Sequence, residues 1–600
     1  RDELAFLGDL PARIKIPPMP LQERVQLARA LAARYQRKIT DVSAWRPLLS
    51  YTQGNPLTIT VLVGQALRDN LTTKDQIESF VAKLRAGQSA FTDDESQGRS
   101  QSLGASLSYG FDSAFTGPER KQLALLHFFQ GFVDVDVLCF MGHPEADYCL
   151  PELRGRSRDQ GIAILDRAAE IGLLTPRGGG YYSIHPALPW YFKTLFDQYY
   201  PNPLPATRAF VEAMGELGNF YHGQYGAGHR DVIAALTAEE PNLLHARHLA
   251  RANAWWRSVI STMQGLDQLY DHTGRRADWA RLVNEIIPDF VDPATDGPLP
   301  TREEEWSVVT QHRVRLARES LQLDEAARLQ GICVKWGRRR AAPALAVPPQ
   351  SLDGEQRNRI RTLAVSLEQL ANIQRESRQP ECIAGYTEAL GLYERIGDTH
   401  ATAVCAFNLA QAYLSIPAIR NLDQAEHHCQ RSLDLHDDQD RLGRSKCYAQ
   451  LGHVALERFN EAKAAQAPEA QLLAHLNTAL THYHTALDLL PPNAVADLAI
   501  THNQIGEIYR RAGDIDRALP HYRDAIRYME TQGDVYRAGG GRFNVAIALR
   551  QANRLPDALE YARAALRNFE TFGPRAADMI AKTRQLIAAI ESAMGPKPGT

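Results

Sequence analysis

Few of the residues in this 600-residue chain that could carry chemistry are spaced to do so. Metal ligation needs side chains that converge on one point. His245 and His248 share a helical face at i, i+3, whereas His427, His428 and Cys429 are consecutive and diverge around a helix, as do His482 and His484. A solvated surface accounts for all of them, and no metal site is expected. The chain has no G-x-S-x-G, no H-E-x-x-H and no G-x-x-x-x-G-K-[ST], and no apolar strand ends in paired acids that could hold Mg²⁺. No catalytic residue is therefore assigned. The seven cysteines form no C-x-x-C pair and read as reduced, mostly buried thiols.

Two positions gain interest from their setting. Gly54-Asn55-Pro56-Leu57 makes a tight turn, and Pro56 can open the apolar helix that follows because its missing N–H costs nothing there. Further on, helical patterns at 117–129 and 159–171 flank a short segment at 133–140 and lead to Leu173-Leu174-Thr175, a Gly178-Gly179-Gly180 tip and Tyr181-Tyr182-Ser183-Ile184. Helices followed by a Gly-tipped hairpin describe a winged helix. His185 and Pro186 come directly after the hairpin and open a helix through Phe196, so His185 is expected where unpaired helix N–H groups point.

The elements that position most other polar residues come from a repeated unit. Its cleanest copy, from Asp497 to Gly533, is two helical patterns joined by Ala-Gly-Asp. Ala518, Tyr522 and Ala525 form a small–aromatic–small stripe at i, i+4, i+7. Ala558, Ala562 and Ala565 repeat it 40 residues later, with Asn553 in place of the turn residue Gly513. Ala479, Tyr483 and Ala486, then Ala425, Cys429 and Ser432, then Cys382, Tyr386 and Ala389 repeat it upstream. This five-fold pattern resembles the tetratricopeptide repeat (TPR), with a longer period than the usual value of about 34. The resemblance implies a stacked solenoid whose first helices line a concave face. On that face it places Glu368, Asn372, Arg375, Gln411, His453, Asn503, Glu507, Arg510 and Arg550 as candidates for binding a protein or peptide.

The order of the parts carries a second resemblance. A Gly-x-Pro-Leu turn, a winged helix ending in His, and then a TPR array is similar to the STAND-type nucleotide switches of the NB-ARC kind. The opening Arg1 to Gly8 also looks like the segment after that family's sensor arginine strand. The resemblance implies that Pro56 packs on a nucleotide base and that His185 reaches the diphosphate of ADP. It also implies ADP or ATP with Mg in the intact protein only, since the phosphate loop is missing here; the nucleotide core is expected before Arg1, and this fragment is expected to bind no cofactor tightly. A trigger on the concave face would then lead to self-association and effector activation.

The expected architecture is all-α: a helical subdomain plus a winged helix with a small β-hairpin, followed by an α-solenoid. Residues 1–90 form the helical subdomain, 91–105 a linker, 106–204 the winged helix, 205–350 degenerate repeats, 351–574 the TPR array, 575–594 a capping helix and 595–600 a tail. A break is expected at Pro343–Gln350 and an inserted loop at Phe459–Gln471. Composition is that of a cytoplasmic globular protein, 44% hydrophobic and 23% charged, with no membrane span or signal peptide. A net charge of −3 offers no basic footprint, and Leu123–Phe129 is too apolar to enter a groove, so DNA binding as a transcription regulator is not expected. A nucleotide-independent TPR scaffold is the other alternative.

Overall fold

The computed structural model describes residues 19–34, 36–52, 54–86, 111, 114–184 and 188–595. The fold is all-α, with helices packed as a solenoid and one small three-stranded sheet. The chain divides into two compact units, Arg1–Ile287 and Pro288–Thr600.

In the first unit, α1 (Leu21–Arg34), α2 (Val42–Tyr51), α3 (Pro56–Arg68) and α4 (Lys74–Ala86) enclose Trp45, Leu48, Ile59, Leu62 and Phe80. Asp41 caps α2 by accepting the Ser43 N–H at 2.8 Å. Then follow α5 (Gly117–Ala124), a 3₁₀ turn Leu125–Phe128, β1 (Phe132–Asp134), α6 (Val135–Met141), α7 (Arg158–Glu170), β2 (Leu174–Gly178), β3 (Tyr181–Ile184) and α8 (Pro189–Tyr199). The strand order is β1-β3-β2, all antiparallel, with Val133 opposite Tyr182 and Leu174 opposite Ile184. Gly178, Gly179 and Gly180 all have positive φ, which an L side chain would resist, and this sets the hairpin tip. Leu123, Leu125, Leu126, Phe128 and Phe129 are buried, so this apolar segment is core.

Helices α9 (Leu204–Gly226), α10 (Val232–Ala252), α11 (Trp256–Thr273) and α12 (Arg276–Phe290) complete the run. A buried amide ties α10 to the sheet. Asn242 donates to Phe132 O at 2.9 Å and accepts the Gln130 N–H at 2.6 Å, so its side chain acts as a surrogate backbone unit beside β1. It also donates to Glu239 at 2.7 Å, and Tyr221 donates to Asp134 at 3.5 Å. Burial pushes the Glu239 carboxyl up to about 8 and Asp134 up to about 6.

The second unit continues with α13 (Glu303–Glu319) and α14 (Leu323–Leu345), then five helix pairs: α15 (Gly354–Glu376) with α16 (Cys382–Ile396), α17 (Thr399–Ser415) with α18 (Leu422–Leu435), α19 (Arg441–Ala464) with α20 (Glu469–Leu489), α21 (Val495–Arg511) with α22 (Ile515–Thr531), and α23 (Val535–Gln551) with α24 (Leu555–Glu570). Helix α25 (Ala577–Met594) packs on α24. All fifteen small, aromatic and thiol positions of the second-helix stripe are buried. Tyrosine and first helix fit because the facing residue is glycine: a Cβ at Gly506 would stand 2.9 Å from Tyr522, and one at Gly452 2.8 Å from Tyr483. Turns repeat as well. Gly397, Gly513 and Gly533 take positive φ, Asn553 substitutes at φ 56°, and Asp398, Asp514 and Asp534 cap the following helices.

Two local expectations need correction. Pro343 lies inside α14, and the break falls after Leu345, around the 3₁₀ turn Pro349–Ser351. Residues 459–471 are not a loop, because Ala- and Glu-rich sequence extends α19 through Ala464 and starts α20 at Glu469. The helix after the hairpin is described from Pro189, which takes the first helical turn; His185, expected at the opening of that helix, lies outside the described residues. All seven cysteines are free thiols, five of them buried. No helix among the described residues is long and apolar enough to cross a membrane.

Gly506→Ala is expected to force Tyr522 off its seat and cost about 1–3 kcal/mol, read as a lower denaturation midpoint with the slope unchanged. The raised Glu239 carboxyl keeps its proton in the fold up to about pH 8, while an unfolded carboxyl releases it near its ordinary value of about 4. Stability of the first unit is therefore expected to fall as pH rises from about 4 to 8, and Glu239→Gln should flatten that slope in denaturant titrations at several pH values.

Candidate functional site

The strongest candidate surface is the row of first helices α15, α17, α19, α21 and α23, where tyrosine hydroxyls from the second helices emerge between polar side chains. Tyr386 is fully buried, yet its hydroxyl reaches Asn372 at 2.6 Å and receives Arg375 Nε at 3.1 Å. Arg375 then donates to Gln411 on α17 at 2.8 Å. One turn away, Glu368 accepts Tyr393 Oη at 2.9 Å and Asn408 Nδ2, also at 2.9 Å. The two clusters join α15 to α17 through side chains that are all partly buried.

The same arrangement returns downstream. Glu507 accepts Tyr522 Oη at 2.9 Å, Arg510 Nε at 2.8 Å and Arg511 Nε at 2.7 Å. Burial alone would raise the Glu507 carboxyl, but the two guanidiniums and the Tyr522 hydroxyl overcome it and hold it below the usual range. Arg510 continues to Gln551 on α23 at 3.2 Å, and Asn544 on α23 donates to Asn503 on α21 at 3.1 Å. Each rung therefore crosses between neighbouring first helices.

Of the residues expected on this face, Asn372, Arg375 and Gln411 share one hydrogen-bonded cluster with Tyr386, Glu368 belongs to a second one turn away, and Asn503, Glu507 and Arg510 lie along α21, from which Asn503 and Arg510 reach α23. His453 is exposed on α19, 3.8 Å from Glu457, and Arg550 is exposed on α23. Pro56 is exposed at the start of α3, and His185 lies outside the described residues. The structure adds partners that no spacing in the sequence singles out. A cavity of about 500 Å³ is lined by Ile500, Asn503, Tyr536, Arg537, Phe543, Asn544 and Lys582, drawn from α21, α23 and α25. Ile500 is 46% and Tyr536 37% exposed, which gives this groove an apolar wall beside an amide rung and two cations. Asn408 and Asn544 share a Phe-Asn-x-Ala context visible in the sequence, but Arg537 and Lys582 come from separate stretches with no common motif.

A tetratricopeptide repeat model matches residues 497–571, which spans α21 to α24. No curated protein matches the chain in sequence. Among solved structures, a signal transduction ATPase with numerous domains (STAND) carrying a tetratricopeptide repeat sensor, from Pyrococcus horikoshii, shares 13% identity at a TM-score of 0.57, covering 97% of this chain and 71% of that one. The APC/C Cut9–Hcn1 assembly shows 13% identity at a TM-score of 0.31 over 92% of this chain and 98% of that one. BtubC from P. vanneervenii shows 14% identity at 0.31 over 45% and 94%. The first likeness establishes a shared fold, and the TPR match identifies the repeat formed by α21 to α24, which carries the Asn503–Asn544 part of the candidate surface.

Removing a rung acceptor should cost more than one hydrogen bond, because the buried donors lose their partner. Glu507→Ala is expected to destabilise the repeat array by about 1–3 kcal/mol in urea denaturation, with Glu507→Gln intermediate because it keeps an acceptor for Tyr522.

Proposed function

We propose that the chain is the sensor and regulatory portion of a STAND-type nucleotide switch. The repeat array receives a protein or peptide trigger on its first-helix face. The helices of 19–86 and the helix–sheet body around 114–199, acting as helical subdomain and winged helix, hold an ADP-bound resting state through Pro56 and His185. The phosphate cradle and its Mg²⁺ would be supplied elsewhere in the intact cytoplasmic protein, so nucleotide hydrolysis is not assigned to these residues. Trigger binding favours an ATP-bound, self-associated state that activates an effector. Moving such an equilibrium from mostly closed to mostly open requires the trigger to bind the open state about 10⁴-fold more tightly.

The observation that carries this reading is the fold shared over 97% of the chain with a STAND protein whose sensor is a TPR. The groove supports the sensor assignment. Its Asn503–Asn544 rung can meet an extended peptide's backbone, and Ile500 and Tyr536 offer apolar contact, while Arg537 and Lys582 are each paired with a nearby acid, Asp534 and Asp578. A second reading, a TPR scaffold independent of nucleotide, draws on the same groove, since nothing in its geometry calls for nucleotide.

The test uses the protein expressed from its natural start codon, purified without added nucleotide and then denatured. Near-stoichiometric ADP in the released fraction is the expected result, and His185→Ala should empty the site and raise basal signalling. A folded preparation that releases no nucleotide would overturn the switch and leave the scaffold.

A further inference from the structure

The helix pairs also bring His400 against His436 and Asp440, two residues four positions apart in the turn between α18 and α19, so that three side chains of metal-ligating type meet. His400 sits in the first turn of α17, His436 follows α18, and Asp440 precedes α19. One ligand atom from each lies within 4.8 Å of the others. We propose that His400, His436 and Asp440 bind a divalent transition-metal ion of the zinc class, leaving one coordination position open to the adjoining groove.

The local structure holds two of the ligands in place. Asp440 uses one carboxylate oxygen to cap α19, accepting the Gly443 N–H at 2.9 Å, and presents the other to His436 Nδ1 at 2.8 Å. The His436 side chain is only 6% exposed. Gly443 is required beside them, since a Cβ there would stand 2.5 Å from His436 Cε1 and 2.6 Å from Asp440 Oδ2. His400 is the exposed member, in the first turn of α17. Ligand atoms around tetrahedral zinc stand about 3.3 Å apart, so rotation of His400 supplies the closure needed.

The donor set selects the ion. Two imidazoles and one carboxylate suit Zn²⁺, whereas Mg²⁺ and Ca²⁺ prefer all-oxygen shells. Asp437 and Asp438 lie in the same turn and add negative field; Arg444 pairs with Asp438, and the exposed Lys446 opposes the cation from the groove wall. Three protein ligands with one open position match an exchangeable site better than a closed structural one. The groove measures about 360 Å³ and includes Val404, Phe407 and Leu442. A bound ion would clamp the start of α17 to the turn before α19, two successive first helices.

The experiment uses the full chain stripped with chelator, titrated with Co²⁺ for its visible absorption and with Zn²⁺ by calorimetry. One equivalent of tight uptake is expected, with a four-coordinate Co²⁺ band and a thermal midpoint that rises with Zn²⁺. His400→Ala, an exposed position whose loss leaves the fold intact, should weaken uptake at least roughly 10- to 100-fold. The exposed His453→Ala should leave it unchanged. Equal uptake by wild type and His400→Ala, or equal loss in both variants, would overturn the site.

Discussion

The seating of second-helix side chains against the first helices is the contact on which the repeat array depends. Tyr522 fills the space that Gly506 leaves empty, and Tyr483 does the same at Gly452. The alanines at 518, 525, 558, 562 and 565 let the neighbouring backbones close in. Dispersion and burial make this contact favourable, but each tyrosine also carries a hydroxyl that must be satisfied. The polar residues of the first-helix face follow from that demand. Asn372, Glu368 and Glu507 each accept a hydroxyl from a buried tyrosine, and Glu368 together with the neighbouring Arg375 and Arg510 reaches the next first helix. The surface that can meet a partner is thus an outgrowth of the way the core is satisfied.

The first unit uses a different linkage. Asn242 completes the hydrogen bonding beside β1 from within a helix, and Glu239 and Asp134 are buried close by as carboxyls that burial favours in the protonated form. Such a network is costly if half satisfied, so it fixes where α10 meets the sheet. In a switch of the proposed kind, this is the place where helices following the hairpin are held in register with it.

The repeats were legible in the sequence because their packing depends on local spacing. A stripe at i, i+4, i+7 faces one way in any helix, so Cys382, Tyr386, Ala389 and their counterparts could be assigned to the interior from sequence alone. Helix ends were less legible. Residues 459–471 read as an inserted loop, but their high helix propensity lengthens α19 and α20 instead.

By itself, the sequence determined the all-α class, the repeated helix pairs, their Gly-Asp or Asn turns and the absence of a phosphate loop within these residues, since each depends on spacing along one segment or on a contiguous motif. Only the tertiary structure decided which polar groups share a surface. Arg375 with Gln411, Asn503 with Asn544, and His400 with His436 and Asp440 are brought together by stacking of successive helices, and the distance between residues on different helices is encoded in no local period.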